Sequence, residues 1–339
     1  MEQAINHRES WAGRRVAVTG AAGFIGSCLA WELNRRGCED LFLVDFPAIG
    51  KKKRNLAGLH FREYIEPWDL LQRLPSAAMG KLDCIFHLGA CSSTTETNET
   101  YLRENNTGYT SELAQWALAS GTRFVYASSA ATYGDGSAGM DDVELEQLSR
   151  LHPLNLYGLS KHWFDLQAAR QGWLNEIVGL KYFNVFGPRE GHKDEMRSVV
   201  CKAYEQVLDT GVIRLFKSYR PEYRDGEQNR DFLYVNDAVD MTLFLAHQAA
   251  AHGIFNIGSG QAHTWNQLAS DVFAAMGRPE HIEYIDMPES IRDKYQYSTQ
   301  ANIGKLRAAG FDRPITPLRE AVQDYVINYL QQEHRPQSI

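Results

Sequence analysis

Tyr157-Gly-Leu-Ser-Lys161 sets a phenol and an ammonium four positions apart. On a helix the two side chains share one face. A tyrosine with its ordinary pKa of about 10 is a poor base at neutral pH. Ionising it at pH 7 takes a shift of about three units, or roughly 4 kcal/mol. One positive charge about 6 Å away, at an effective dielectric of about 20, supplies roughly 3 kcal/mol. Lys161 and a second cation would together make Tyr157 a proton acceptor. Alone the pattern is weak, because surface helices produce it often. It gains weight from the run Ala127-Ser128-Ser129-Ala130-Ala131-Thr132-Tyr133-Gly134, which follows an apolar stretch. A serine at a strand's C-terminal edge can hydrogen-bond a reacting oxygen. The ordinary alternative for Ser128 and Ser129 is capping of a turn or helix.

A second pattern names a partner for this chemistry. Gly20-Ala-Ala-Gly23-Phe-Ile-Gly26 follows a short apolar run and opens a helical one. Glycines let such a turn tighten and let a pyrophosphate approach, and the helix N-terminus offers free N–H groups and partial positive charge. The spacing is Gly-x-x-Gly-x-x-Gly, a variant of the dinucleotide fingerprint; a plain glycine turn is the alternative. Asp45 comes 19 residues after Gly26, at the end of the next apolar run, where an acid accepts adenosine ribose hydroxyls. That favours NAD. The loop Lys51-Lys52-Lys53-Arg54 pulls towards NADP, since clustered cations suit a 2′-phosphate. NADP is the expectation and NAD the alternative. Further on, Lys181-Tyr-Phe-Asn184-Val-Phe-Gly187-Pro-Arg189 leaves another strand at the edge where ligands bind.

The elements that must position these groups alternate. Strands are predicted over 15–19, 41–45, 84–88, 123–127 and 177–183, with helices over 24–36, 101–120 and 162–170. Uninterrupted apolar strands separated by helices mean a Rossmann-like doubly wound parallel sheet in an α/β protein. After Asn184 the rhythm loosens into a smaller mixed α/β substrate lobe. Helices are expected over 196–209 and 238–251, with short strands over 214–216, 232–235 and 282–285. The division expected is 13–183 for the dinucleotide, with a return around 230–257, and 184–229 with 258–339 for the substrate. The charged loop 219–229, carrying Pro221 and Gly226, is the expected mobile segment.

Composition is that of a globular chain, with 44% hydrophobic and 23% charged residues, which argues against disorder. The formal net charge of −7 gives no general attraction to nucleic acid. No apolar run reaches the ~18 residues of a membrane helix, so no membrane partner is expected. Residues 1–10 read as a short polar extension without a signal-peptide core, which points to a cytoplasmic protein. The 5 cysteines are odd in number and scattered, so neither a disulfide framework nor a metal site is indicated.

Glycine turn, serine and Tyr-x-x-x-Lys, in this order, resemble the extended short-chain dehydrogenase/reductases from about Arg14 to Tyr329. Further blocks resemble the branch that epimerises ADP-bound heptoses. They are Gly89-Ala-Cys-Ser-Ser-Thr-Thr-Glu96, Ser128 to Gly134, Tyr182 to Lys193, Arg230-Asp-Phe232, Tyr295-Gln296 and Leu306 to Gly310. The run Gly187-Pro-Arg-Glu-Gly-His-Lys193 is the most specific of them.

The resemblance implies an epimerase acting on an ADP-heptose made for lipopolysaccharide, through a transient ketone at carbon 6, with NADP kept bound. It implies Tyr157 as one acid/base, Lys161 as its orienting cation and Ser129 as holder of the reacting oxygen. Lys193 matches a second acid/base; a solvated loop lysine or a phosphate contact is its alternative. Cofactor contacts implied are Phe24, Ile25, Asp45, Phe46 and Lys52. Leu88, Gly89, Ala90, Cys91 and Ser92 join them, as do Asn105 and Val185. Substrate contacts implied are Asn184, Glu195, Lys202 and Arg230, whose planar fork suits a pyrophosphate. Phe216, Lys217, Ser218, Tyr219 and Tyr295 complete that set. A homo-oligomer is also implied.

The chain departs from the branch's pattern in places. Pro67 stands where a second cofactor-phosphate lysine is expected, Glu195 and Lys202 differ in type, and the 219–229 loop is longer. The rivals are a nucleotide-sugar 4-epimerase, a dehydratase and a non-catalytic dinucleotide sensor. A dehydratase would carry an acid pair where Ala130-Ala131 stands. A 4-epimerase has no need of Gly191-His192-Lys193, and a sensor has none for Tyr157, Lys161 and Ser129.

Overall fold

The computed structural model describes residues 9–333 except 77, 143, 144, 293 and 294. The chain runs β1 (Arg15–Thr19), α1 (Phe24–Arg35), β2 (Asp40–Val44), α2 (Gly50–Arg54), β3 (Glu63–Ile65), α3 (Pro67–Arg73) and β4 (Cys84–His87). It continues through α4 (Glu99–Leu102), α5 (Tyr109–Ser120), β5 (Arg123–Ser129), α6 (Leu156–Arg170), β6 (Val178–Tyr182) and β7 (Asn184–Phe186). Then come α7 (Val199–Thr210), β8 (Ile213–Phe216), β9 (Asn229–Tyr234), α8 (Val235–His247), β10 (Gly253–Ile257), β11 (Ala262–Thr264), α9 (Trp265–Met276) and β12 (Ile282–Ile285).

Seven strands form one parallel sheet in the order β10-β6-β5-β4-β1-β2-β3. The doubly wound expectation is met, and the winding reverses between β1 and β4, where such sheets bind ligands. Strand residues alternate between faces. Val16 and Val18 pack with Leu29 and Leu33 of α1 on one face. Ala17, Ile85 and Phe124 pack with Leu113 of α5 and Phe164 of α6 on the other. Burial on both faces is what makes these strands read as unbroken apolar runs.

The second half contributes two small sheets. β9 lies between β11, antiparallel, and β7, parallel, and β8 pairs with β12. The strand expected over 232–235 is β9, and it belongs to the small sheet. The segment after it reaches the large sheet, where β10 pairs with β6.

Other expectations need correction. The basic run is the short helix α2 and not a loop. The helix predicted over 101–120 is interrupted by a π turn over Arg103–Gly108. The helix expected over 162–170 starts earlier, at Leu156, where Asn155 Oδ1 accepts from Gly158 N at 2.8 Å. Of the supposed N-terminal extension, residues 1–8 lie outside the described residues. Glu9 is tied to Arg36 at 2.9 Å and to Arg313 at 2.5 Å, and Trp11 is buried against Phe86. The 219–229 loop, expected to be mobile, is pinned: Ser218 N donates to Asp225 at 2.7 Å and Tyr219 N to the Tyr297 hydroxyl at 3.0 Å.

Candidate active site

The glycine turn is tight for a local reason. Gly20 takes a φ of +68°, and a Cβ there would stand 2.7 Å from the Gly89 nitrogen. A side chain would close the cradle between the ends of β1 and β4, so the turn fits a dinucleotide pyrophosphate. A Cβ on Gly26 would press to 2.2 Å from the Gly20 carbonyl, so glycine there lets α1 pack on the turn. Thr19 Oγ1 accepts from Gly89 N at 3.0 Å and meets His87 Nδ1 at 2.7 Å. Burial pushes His87 down to about 3, which keeps it neutral at physiological pH.

Asp45 is buried and its oxygens are committed to the protein. They accept from Ala22 N at 3.0 Å, Phe46 N at 2.8 Å and the Lys52 ammonium at 2.8 Å. Of the basic run, Lys51, Lys53 and Arg54 face solvent and Lys52 turns inward. Pro67 is the first residue of α3, a position where its missing N–H costs nothing.

The candidate reacting groups come from β5 and α6. Ser129 ends β5 and caps the following 3-10 turn, its Oγ accepting from Ala131 N at 3.1 Å. Its hydroxyl faces the Tyr157 phenol and opposes the rise of that group's pKa. Gly158 permits this closeness, since a Cβ there would lie 2.8 Å from the Ala131 carbonyl. Ser128 points elsewhere, donating to Asp165 at 2.7 Å. Burial raises the Tyr157 phenol above its ordinary pKa, the nearby Ser129 hydroxyl works against that, and Cys91 adds to the rise. Burial pushes the Lys161 ammonium down to about 8, with Asp165 and Cys91 opposing. Desolvation therefore outweighs the simple charge argument for Tyr157.

Three positioning residues were missed from sequence. Asn106 lies buried in the π turn. Its Oδ1 accepts from Cys91 N at 2.8 Å, and its Nδ2 donates to Cys91 O at 3.0 Å and Ser160 Oγ at 2.9 Å. It thus ties the loop after β4 to the catalytic helix. Asn105 beside it spends its amide on Tyr101 O at 2.9 Å. An Asn-Asn pair inside a helical pattern, poor in propensity, was the available signal. Glu190, fully buried, accepts from the Ser198 hydroxyl at 2.6 Å and from Ser198 N. Asn55 Nδ2 donates to Ala22 O at 3.0 Å and to Arg189 O at 3.0 Å, and lies 3.2 Å from His192 Nδ1. These two fix the segment carrying Lys193.

Lys193 lies in a 3-10 segment, half-buried, its ammonium 5.3 Å from the centre of the Phe24 ring. Burial lowers its pKa and Glu190 opposes. Arg189 and Asp194 hold φ of +74° and +44°, strained values for non-glycine residues and a mark of functional segments.

The expected substrate residues divide. Arg230 is buried between Tyr295, at 5.1 Å from ring centre, and Trp265, at 5.6 Å. It donates to Asn229 O at 2.8 Å and to Gln296 O. Gln296 in turn donates to Gly134 O, which joins this lobe to the serine turn. Asn184 is exposed at the start of β7. Lys202 binds Glu195 at 3.3 Å, and Lys217 and the Tyr219 hydroxyl both bind Asp286, at 3.2 and 3.1 Å. Val185 is half-buried, and Phe216 closes β8. An open surface depression of about 1060 Å³, lined by Asn34, Asp40, His60 and Arg62, sits at the opposite end of β2 and holds no group of this site.

Comparison with known proteins agrees with this geometry. The family model described as the NAD dependent epimerase/dehydratase family matches residues 16–258. The ADP-L-glycero-D-manno-heptose-6-epimerase of Nitratidesulfovibrio vulgaris (Hildenborough) is 47% identical over 326 residues, 92% of this chain and 97% of that protein. The crystal structure of the Helicobacter pylori ADP-L-glycero-D-manno-heptose-6-epimerase is similar at a TM-score of 0.77 and 27% identity, over 94% of this chain and 96% of that one. The Thermus thermophilus UDP-glucose 4-epimerase, solved in complex with NAD, reaches 0.73 at 26% identity over 92% and 97% of the two chains. The resemblance read from the motifs is borne out: the chain belongs to the NAD dependent epimerase/dehydratase family.

Proposed function

We propose that this enzyme interconverts ADP-D-glycero-D-manno-heptose and ADP-L-glycero-D-manno-heptose at carbon 6, supplying a lipopolysaccharide core precursor. One observation carries the assignment of roles: Gly158 lets the helix bearing Tyr157 pack on the turn that Ser129 caps, and Asn106 ties that helix to the loop after β4. A nicotinamide dinucleotide, when bound, supplies a positive charge and the hydride acceptor that makes the carbon-6 alcohol a ketone and returns hydride to its other face. Tyr157 takes the hydroxyl proton of one epimer. Ser129 donates to the reacting oxygen, and Lys161, charged below about 8, favours the phenolate. Lys193 gives the proton to the oxygen on the opposite face. No net oxidation occurs, because the hydride and one proton that leave are both replaced.

Gly20, Gly23, Phe24, Ile25 and Gly26 with the loop from Leu88 to Ser92 receive the dinucleotide, and Arg230 with Tyr295 receives the substrate pyrophosphate. The cofactor lobe we assign is 13–183 with the return through α8 and β10, and the substrate lobe takes the rest of the described residues after 183, β9 included. NADP is favoured over NAD because Asp45 is already committed to Ala22, Phe46 and Lys52, while the exposed cations of α2, Lys51, Lys53 and Arg54, suit a 2′-phosphate. The setting we assign is the cytoplasm, and the family resemblance implies a homo-oligomer. Among the described residues no helix is long and apolar enough to cross a membrane.

The test mixes purified protein with each ADP-heptose epimer and follows interconversion by NMR, with mass spectrometry of the nucleotide it releases. Both epimers should reach one equilibrium mixture and NADP should be found. Inert ADP-heptoses beside a converted UDP-hexose would move the protein to the 4-epimerases, and NAD alone would overturn the cofactor assignment.

A further inference from the structure

We propose that Asn55 is a positioning residue that carries nucleotide occupancy to the second proton carrier: filling the adenosine end of the dinucleotide site sets the segment 187–194 that bears Lys193. As a statement about proton transfer it rests on the role given to Lys193 above.

Asn55 closes α2, its N donating to Lys52 O at 3.2 Å, and it is 6% exposed. Its side-chain amide stands between two segments far apart in sequence. Nδ2 donates to Ala22 O of the glycine turn at 3.0 Å and to Arg189 O at 3.0 Å. His192 Nδ1 lies 3.2 Å from the same nitrogen. The Arg189 guanidinium returns a bond to Asn55 O. The two amide hydrogens thus go to carbonyls in different elements. Moving either carbonyl carries the other along or leaves a buried polar group unpaired, which is costly.

The same segment docks on α1. The Cys28 thiol donates to Pro188 O at 3.5 Å, and the Lys193 ammonium stands over the ring of Phe24, the residue that follows the turn. The turn is itself tied to α2, because Asp45 accepts from both Ala22 N at 3.0 Å and Lys52 at 2.8 Å. Ala22, Asp45, Lys52 and Asn55 therefore form one unit, built where a helix N-terminus and clustered cations suit phosphates. The Lys193 segment does not hold its own shape. Arg189 and Asp194 keep positive φ, a conformation that persists only where the surroundings impose it. Part of what imposes it is the unit that the nucleotide fills. A ligand that fixes the turn and α2 fixes the partners of Arg189 and His192. By reciprocity, a fixed segment holds that ligand longer.

The test is hydrogen exchange by mass spectrometry over 187–198, in protein stripped of nucleotide and then saturated with NADP or with 2′-phospho-ADP-ribose. Exchange should slow about tenfold with either, a usual size for coupling between two sites. The second probe has no nicotinamide ring, so its effect cannot come from a ring lying against Lys193. In Asn55→Ala at saturating nucleotide the slowing should largely vanish from 187–198 and remain in the glycine turn and the start of α1. Equal exchange with and without nucleotide in the parent protein, slowing by NADP alone, or full slowing kept in Asn55→Ala overturns the proposal. A second readout uses only loaded protein. Glu190→Gln disturbs the segment through Ser198 and Gly187, the groups its carboxylate holds, and not through the turn. NADP release should still become about fivefold faster, and an unchanged rate overturns the proposal. If the stripped protein does not stay folded, the release rate decides alone; if Glu190→Gln does not fold, the exchange in Asn55→Ala does. Neither readout needs a sugar. A protein that leaves ADP-heptoses unchanged while showing both effects loses the proposed function and keeps the coupling.

Discussion

Tyr157 and Lys193 are the two proposed proton carriers, and the chain holds them by different means. Tyr157 is the second residue of a regular helix capped by Asn155 and packed through Gly158 on the serine turn. Its neighbours Ser160 and Thr107 lock that helix to the π turn, Thr107 Oγ1 donating to Ser160 O at 2.9 Å. Lys193 sits in a 3-10 segment between Arg189 and Asp194, both at positive φ. Such residues cost on the order of 1–3 kcal/mol each and persist only where the surroundings hold them. Here the holders are Glu190 from within and Asn55 from the cofactor lobe. The first carrier is fixed by ordinary helix packing. The second depends on a few long-range polar links, so the two regions should respond differently when disturbed.

The largest effect should come from the rigid side. Tyr157→Phe keeps the packing and removes the proton acceptor, so kcat for either epimer should drop about 10²–10⁴-fold, the usual worth of general acid–base catalysis. Bound nucleotide and melting temperature should hardly change. Turnover near that of the parent protein would remove Tyr157 from the chemistry.

Asn55→Ala should strike the other side. It leaves the Ala22 and Arg189 carbonyls without their donor, a loss of about 1–3 kcal/mol. Epimer interconversion should fall about tenfold, while the first oxidation, seen as reduced nucleotide on mixing, should persist. Equal loss of both steps would show that the Lys193 segment is no more loosely held than the Tyr157 helix.

The smallest effect is a pH limb. Lys161 is depressed to about 8, so its charged form is present below that value and lost as pH rises through it. If the charged form is the active one, kcat at pH 8 should be about half its plateau, and it should keep falling as pH rises. A profile flat to pH 10 would separate Lys161's charge from catalysis.

How much of this could be read in the chain depended on sequence distance. The glycine turn and five of the seven strands of the large sheet are local patterns that landed where expected, while the Tyr157–Lys161 pair fell on a helix that begins at Leu156, ahead of the 162–170 read from sequence. Asn106 was hidden because the π turn puts one residue more into the helix than a 3.6-residue period allows. Asn55 meets Arg189 across 134 positions, and no periodicity records such a link. The contacts of Lys217 and Tyr219 with Asp286 span 69 and 67 positions, and no local pattern announces them. The helical form of the basic run was missed because five residues carry too little pattern to distinguish one turn from a loop.

The account's central claim is that two separate groups handle the proton, and Lys193→Met tests it most directly. Methionine keeps the length and the contact with Phe24 but has no proton to give. NMR of epimer interconversion would be run beside a binding titration with ADP-heptose. The account predicts normal binding, a trace of reduced nucleotide on mixing as Tyr157 still serves one epimer, and almost no interconversion. Weakened binding with full turnover at saturating substrate would make Lys193 a phosphate contact and contradict the two-carrier mechanism.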